Sequence, residues 1–269
     1  MTRLGIFLLA ALLLATSTSG LNTTYSNSVV PDPDGTMSFT LLSPITGTAP
    51  FTLGFAFVKG HIQANQGVAS NIAEMQVVPK NYWSDGSLKY AILSGHVELT
   101  ADTPLVVTMG PSGNVNNAAL TLSDLKATGV TSTINCGAFG SMSWQNNDWD
   151  TPHLTWIEGW QMSSWIYRKP VGTDPHLVVW LEVRLYKGNA VEVLPWIENG
   201  YIRVPNPTSK AETFEFQLGG ESLFSKYIDI PTHTRTPLLF GTALSYWFGI
   251  EDPAVTVRHD ALYMQASLL

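Results

Sequence analysis

Between Leu177 and Glu198 the chain sets indoles, a guanidinium and carboxylates at even spacing. Trp180, Glu182 and Arg184 lie two residues apart, and Glu192, Leu194, Trp196 and Glu198 repeat the interval after Lys187-Gly188-Asn189. In extended backbone, residues two apart share a face. Trp180, Trp196, Arg184 and Glu182 therefore form the candidate ligand-binding set. Aromatic surface beside a cation and carboxylates suits a saccharide: indole faces stack on C–H groups while polar groups take the hydroxyls. Arg184 also suits an acidic sugar, because guanidinium pairs with carboxylate in a bidentate fork. Glu192 is a competing partner for it across the strands.

Other residues could carry chemistry too. Five of the nine Trp (144, 149, 156, 160 and 165) fall within 22 residues, interleaved with Gln145, Asn146, Asn147, Asp148, Asp150 and Gln161. They either extend a saccharide surface beside the sheet or fill the interior. Glu182, Glu192 and Glu198 share one face, as a glycosidase carboxylate pair or an ordinary solvated face would. Polysaccharide β-elimination needs a base and a cation that holds the enolate charge. His233-x-Arg235 and Arg258-His259-Asp260 offer such groups, as do many surface loops. No nucleophile elbow, phosphate loop, dinucleotide fingerprint or HExxH zinc motif is present. The six His never fall at ligand spacing, so no metal or cofactor is expected. The catalytic residues, if any exist, are not identified. Cys136 has no base or cation among its neighbours to activate it, and reads as a buried small hydrophobe.

The elements that would hold these groups are strands. Leu177, Val179, Leu181, Val183 and Leu185 alternate with the candidate set, as do Val191, Val193, Pro195 and Ile197. If Tyr186 pairs with Ala190 across a three-residue loop, Leu185 meets Val191, Val183 meets Val193, Arg184 meets Glu192 and Trp180 meets Trp196. A loop one residue longer or shorter would place Leu185 opposite Glu192 and bury a charge. Gly188 and Asn189 suit the left-handed backbone such a loop needs. Phe214, Phe216 and Leu218 alternate with polar residues in the same way. Asp85-Gly86 marks another hairpin, before an apolar run over 88–99. Leu120–Leu125 could start a short helix. No stretch keeps a 3.6-residue apolar period for three turns. The pattern predicts an all-β barrel or sandwich of short, mostly antiparallel strands with few short helices, spanning 38–250.

Composition agrees. The 269 residues carry 14 Lys+Arg against 21 Asp+Glu, a net charge of −7. Such a chain lacks the positive field that nucleic acid or an anionic membrane would need. Residues 1–20 combine Arg3, an apolar run over 5–15 and a small polar stretch, the form of a secretory signal. The run is about half of the ~20 residues a membrane span requires. A secreted or periplasmic location follows, with 21–37 as a linker. Residues 251–269 read as the start of a following segment, so further domains downstream are expected.

Two stretches resemble a known family. Pro50–Gly60 (PFTLGFAFVKG), with Trp83–Ala91 (WSDGSLKYA), is similar to the N-terminal RIFT-barrel domain of the exo-rhamnogalacturonan lyase-like family. Pro175–Leu177 through Val183–Tyr186 resembles a strand pair of the same domain. Ala56 stands where that family commonly has Pro, and Tyr90 where it has Trp. These motifs are structural signatures and carry no catalytic residue. The resemblance implies a RIFT-barrel-like fold and a polysaccharide or oligosaccharide partner. The expected function is an exported module that binds polysaccharide or assists its degradation. The alternative is a non-catalytic structural or adhesion module of a surface or phage-tail assembly.

Overall fold

The computed structural model describes residues 37–114, 117–172, 174–200 and 207–267. The expected signal 1–20 and nearly all of the linker lie outside the described residues. Among those described the chain is all-β: every strand pairing is antiparallel, and the two α-helices are short. They surround two separate hydrophobic cores.

The first core begins with β1 (Met37–Leu42), β2 (Gly47–Ala56), β3 (Gly67–Ser70), β4 (Met75–Tyr82), β5 (Leu88–Leu99) and β6 (Leu105–Ser112). Strand β1 shows why they form: Met37, Phe39 and Leu41 are buried and alternate with half-buried polar or apolar neighbours. Strands β1, β6 and β3 share one sheet, and β2, β5 and β4 another. Phe39, Phe51, Phe55 and Phe57 interlock in the core, with ring centroids 5.0 Å apart for Phe55–Phe57 and 5.9 Å for Phe39–Phe51. The Asp85-Gly86 hairpin joins β4 to β5. Trp83 N donates to Ser87 O at 2.8 Å and Gly86 takes φ 85°. The Ser87 hydroxyl and amide donate to Asp85 and hold its carboxyl below the usual range.

The second core follows in sequence. Helix α1 (Leu122–Ala127) opens on a capping box of Thr121 and Asp124 and buries Leu125. Strands β7 (Ser132–Asn135) and β8 (Ser141–Trp144) come next. Then β9 (Leu154–Ile157), β10 (Met162–Val171), β11 (Asp174–Tyr186) and β12 (Val191–Asn199) form consecutive neighbours in one sheet. Strands β13 (Lys210–Leu218) and β14 (Glu221–Ile230) join β7 and β8. Strands β15 (Thr234–Pro237) and β16 (Tyr246–Phe248) both pair with β12. The β11–β12 register is the one the alternation predicts: Leu185 opposite Val191, Arg184 opposite Glu192, Trp180 opposite Trp196. Tyr186 N donates to Ala190 O at 2.9 Å, and Gly188 and Asn189 take φ 91° and 72°. Phe214, Phe216 and Leu218 all point inward. Cys136 is fully buried here, and burial pushes its thiol up to about 12, which leaves it unreactive.

Chain past residue 250 returns to the first core, although the sequence set it apart as a following segment. Strand β17 (Thr256–His259) pairs with β1, and α2 (Ala261–Ser267) sets Tyr263 5.6 Å from Phe55. Val255, Val257, Tyr263 and Met264 thus pack in the first core.

A third, smaller buried cluster fills the seam between strands of the two halves. Ile157, Met162, Tyr186 and Ala190 are buried there against Val78, Ile92 and Trp247. Gln76 of β4 satisfies the backbone of the other half: its Oε1 accepts from Gln161 N (2.7 Å) and Met162 N (3.0 Å), and its Nε2 donates to Met162 O (2.9 Å). A buried amide with its hydrogen bonds filled fixes one relative position for the two sheets.

Candidate functional site

Strands β10, β11 and β12 send Trp165 and Tyr167, Val179 and Val183, and Val193 and Ile197 into the second core and turn their other face outward. Cross-strand register arranges that outer face in rows. One row runs Ser164–Arg184–Glu192–Trp247, the next Ile166–Glu182–Leu194, and the third Arg168–Trp180–Trp196–Pro237. Beyond lies Glu198 opposite Arg235. Trp180, Trp196, Arg184 and Glu182 therefore share a face, as the spacing requires, but they divide into two groups with different surroundings.

The tryptophans are half-buried. Their rings are stacked, 8° from parallel with centroids 6.0 Å apart. The Arg168 guanidinium carbon lies 5.3 Å from the Trp180 centroid, and that of Arg235 lies 5.5 and 5.6 Å from the two rings. The exposed His153 ring meets Trp180 edge-on at 5.5 Å. Cross-strand neighbours thus occupy indole faces, so a pyranose stacked on one would have to displace them. Both indole Nε1 atoms are sealed from solvent and find no acceptor among the described residues. A buried donor left unpaired costs about 1–3 kcal/mol. Arg235 is bound to Glu198 Oε2 at 2.7 Å, yet its side chain is 55% exposed. Beside it is a depression of about 410 Å³ lined by Glu198, Gly200, His233, Thr234 and Arg235.

Arg184 and Glu182 belong to the seam. Arg184 Nε donates to Glu182 Oε1 at 2.7 Å and Nη1 to Glu192 Oε2 at 3.1 Å. Ser164 Oγ also donates to Glu182, and Tyr186 Oη donates to Glu192 Oε2 at 2.9 Å. Tyr186 Oη lies 2.9 Å from Thr52 Oγ1, which is 3.0 Å from Ser94 Oγ on β5. Burial would lower the Arg184 pKa, but the charges of Glu192 and Glu182 outweigh it and raise the pKa. Burial, then the Glu192 charge, pushes the Tyr186 phenol well up, which makes it a donor and no base. Two carboxylates over-compensate Arg184, so it does not offer the free positive charge expected of it for an acidic sugar. Glu182 is likewise committed to Arg184 and Ser164. A cleft of about 870 Å³ opens above this network, between β2, the outer sheet face and the chain over 240–257.

The remaining candidates are placed elsewhere. Trp144, Trp149 and Trp165 are interior residues of the second core, and only Trp156 and Trp160 reach the surface. The Trp149 indole donates to Val130 O at 3.1 Å, which explains why it turns inward from a short 3-10 turn. Glu198 is paired with Arg235, and His259 Nε2 is tied to Gly54 O at 2.8 Å. Among the described residues no group of three or more His, Cys, Asp or Glu could hold a metal, and no helix is long and apolar enough to cross a membrane. Sequence reasoning did not bring Arg168 to the Trp pair. Extending the alternation of β11 onto β10 would have placed it opposite Trp180. No family model matches the chain, and no curated protein matches it.

Proposed function

We propose that this protein is an exported polysaccharide-associated module that binds an acidic saccharide along the Arg168–Trp180–Trp196–Arg235 row. The observation that carries the reading is an imbalance of donors. Among the described residues two buried indole N–H groups lack acceptors, while Arg235 lies against both rings and Arg168 against Trp180. Arg168 has no ion pair among the described residues, and its side chain is exposed. Uronate carboxylates supply charge for the guanidinium groups, and sugar oxygens supply acceptors for the indoles once a side-chain rearrangement unseals them. Arg235, largely exposed and held by one carboxylate, swings aside to admit them. The resemblance of residues 38–200 to a RIFT barrel of lyase-like proteins supports the same partner class. Arg184 and Glu182 support the sheet from the seam and do not touch this ligand.

The test is calorimetric titration with trigalacturonic acid. The parent binds, more weakly as salt rises because the attraction is partly screened. Arg168→Gln combined with Arg235→Gln weakens binding by about tenfold or more, corresponding to roughly 1.4 kcal/mol. Unchanged affinity in the double variant would refute the assignment. The alternative of a structural or adhesion module draws on exposed Tyr227, Phe240 and Leu244 at 66%, 48% and 79%. It gains if no saccharide binds.

A further inference from the structure

We infer that the seam cleft is a second, separate binding site, one that takes a single neutral pyranoside through two adjacent hydroxyls. The inference stands on the cleft floor and does not depend on the tryptophan row.

Glu192 spends only Oε2 on its partners; no described residue donates to Oε1. Arg184 spends Nε and Nη1, and its Nη2 makes no hydrogen bond to a described residue. Neither leftover atom is sealed from solvent, unlike the two indole nitrogens. Both residues line the cleft. Its floor therefore offers one unused acceptor and one unused donor, from two side chains already joined to each other.

Their positions are fixed before any ligand arrives. Glu192 is only 8% exposed and is gripped by both Arg184 and Tyr186. Glu182 holds Arg184 from the other side. Side chains held this way lose little further freedom on binding. A volume of about 870 Å³ lies within the range of small-molecule sites and leaves room for a sugar ring. Phe51, Leu194 and Trp247 supply apolar walls for its C–H groups.

Charge decides the ligand class. Glu182, Glu192 and Arg184 sum to one negative charge, and Asp252 on the rim adds another. That field repels an anion. The unused guanidinium donor opposes a cation. A hydroxyl both donates and accepts, so two neighbouring hydroxyls satisfy the floor together: one donates to Glu192 Oε1, the other accepts from Arg184 Nη2. The two sites would thus have opposite preferences, acidic sugar on the tryptophan row and neutral sugar in the cleft.

The test uses the full chain with three probes: methyl β-D-glucopyranoside, methyl β-D-galactopyranoside and methyl α-D-mannopyranoside. Ligand-observed saturation-transfer NMR and titration calorimetry give binding. At least one probe binds, with a dissociation constant on the order of millimolar. Ala243→Trp, on the loop that borders the cleft, fills the space and weakens that binding about tenfold or more. Should that variant not fold, Thr242→Trp on the same loop serves in its place. Trp180→Phe with Trp196→Phe leaves pyranoside binding unchanged. Failure of all three probes to bind overturns the inference. So does binding that persists in a folded cleft-filled variant, and so does its loss in the Trp→Phe pair, which would move the probes to the tryptophan row.

Discussion

Val183→Asp is expected to leave the chain unfolded or nearly so. Val183 is fully buried at the centre of β11, opposite Val193 on one side and Trp165 on the other. A carboxylate there would have no cation and no donor set, and burying an unpaired charge is among the few changes that exceed ~4 kcal/mol. That is comparable to the whole stability of many domains, roughly 5–15 kcal/mol. Val183→Thr separates charge from polarity. Its hydroxyl has the same shape and should cost about 1–3 kcal/mol. Urea unfolding followed by circular dichroism distinguishes the two. A Val183→Asp protein within about 1 kcal/mol of the parent would contradict the placement of β11 in the core.

Arg184→Met is expected to destabilise by about 3–5 kcal/mol, the usual effect of removing one partner from a buried ion pair. Methionine preserves much of the stem packing, so the loss reports on charge. The structure gives a specific reason: Glu182 and Glu192 both rely on this guanidinium, with side chains only 15% and 10% exposed. Adding Glu182→Gln and Glu192→Gln to Arg184→Met should recover most of the deficit, since amides carry no charge to strand. A cycle of these variants isolates the coupling. If Arg184→Met alone costs under about 1 kcal/mol, the triad is a solvated surface pair and the seam is not organised around it.

What could be read from the sequence was what side-chain alternation controls. The β11–β12 register follows from keeping Glu192 off the apolar face and from Gly188-Asn189 in the loop, and it is correct residue by residue, although Glu192 is itself buried on the other face against Arg184 and Tyr186. The Phe214–Leu218 face and the Asp85-Gly86 hairpin have the same basis. Alternation does not say which buried faces meet each other. Phe39 and Phe214 carry the same pattern, yet they enter different cores. The division into two cores and the return of β17 to β1 are set by pairings between residues about 200 positions apart, such as Leu41 with Val257.

The candidate site shows a second limit. Trp180 and Arg184 are on one face, but four residues of strand separate them by about 13 Å. Cross-strand neighbours are only ~5 Å apart. Arg168 and Arg235 therefore come closer to the indoles than Arg184 does, although both are remote in sequence. The Trp144–Trp165 concentration left two readings open for a related reason. Composition counts aromatic residues without saying which way they face, and three of the five face inward.

The Trp180–Trp196 row is proposed to bind acidic saccharide through donors left unused in the free protein. Changing both tryptophans to phenylalanine removes the indole N–H groups while retaining an aromatic pair. The free protein loses some buried ring area and is relieved of two unpaired donors, terms of opposite sign, so its melting temperature should move by only a few degrees. Calorimetric titration of Trp180→Phe/Trp196→Phe with trigalacturonic acid, set beside the parent, is the decisive measurement. The expected result is parent binding that falls about tenfold or more in the variant at nearly constant melting temperature. Equal affinity in the two proteins, or no binding by the parent, would contradict the account.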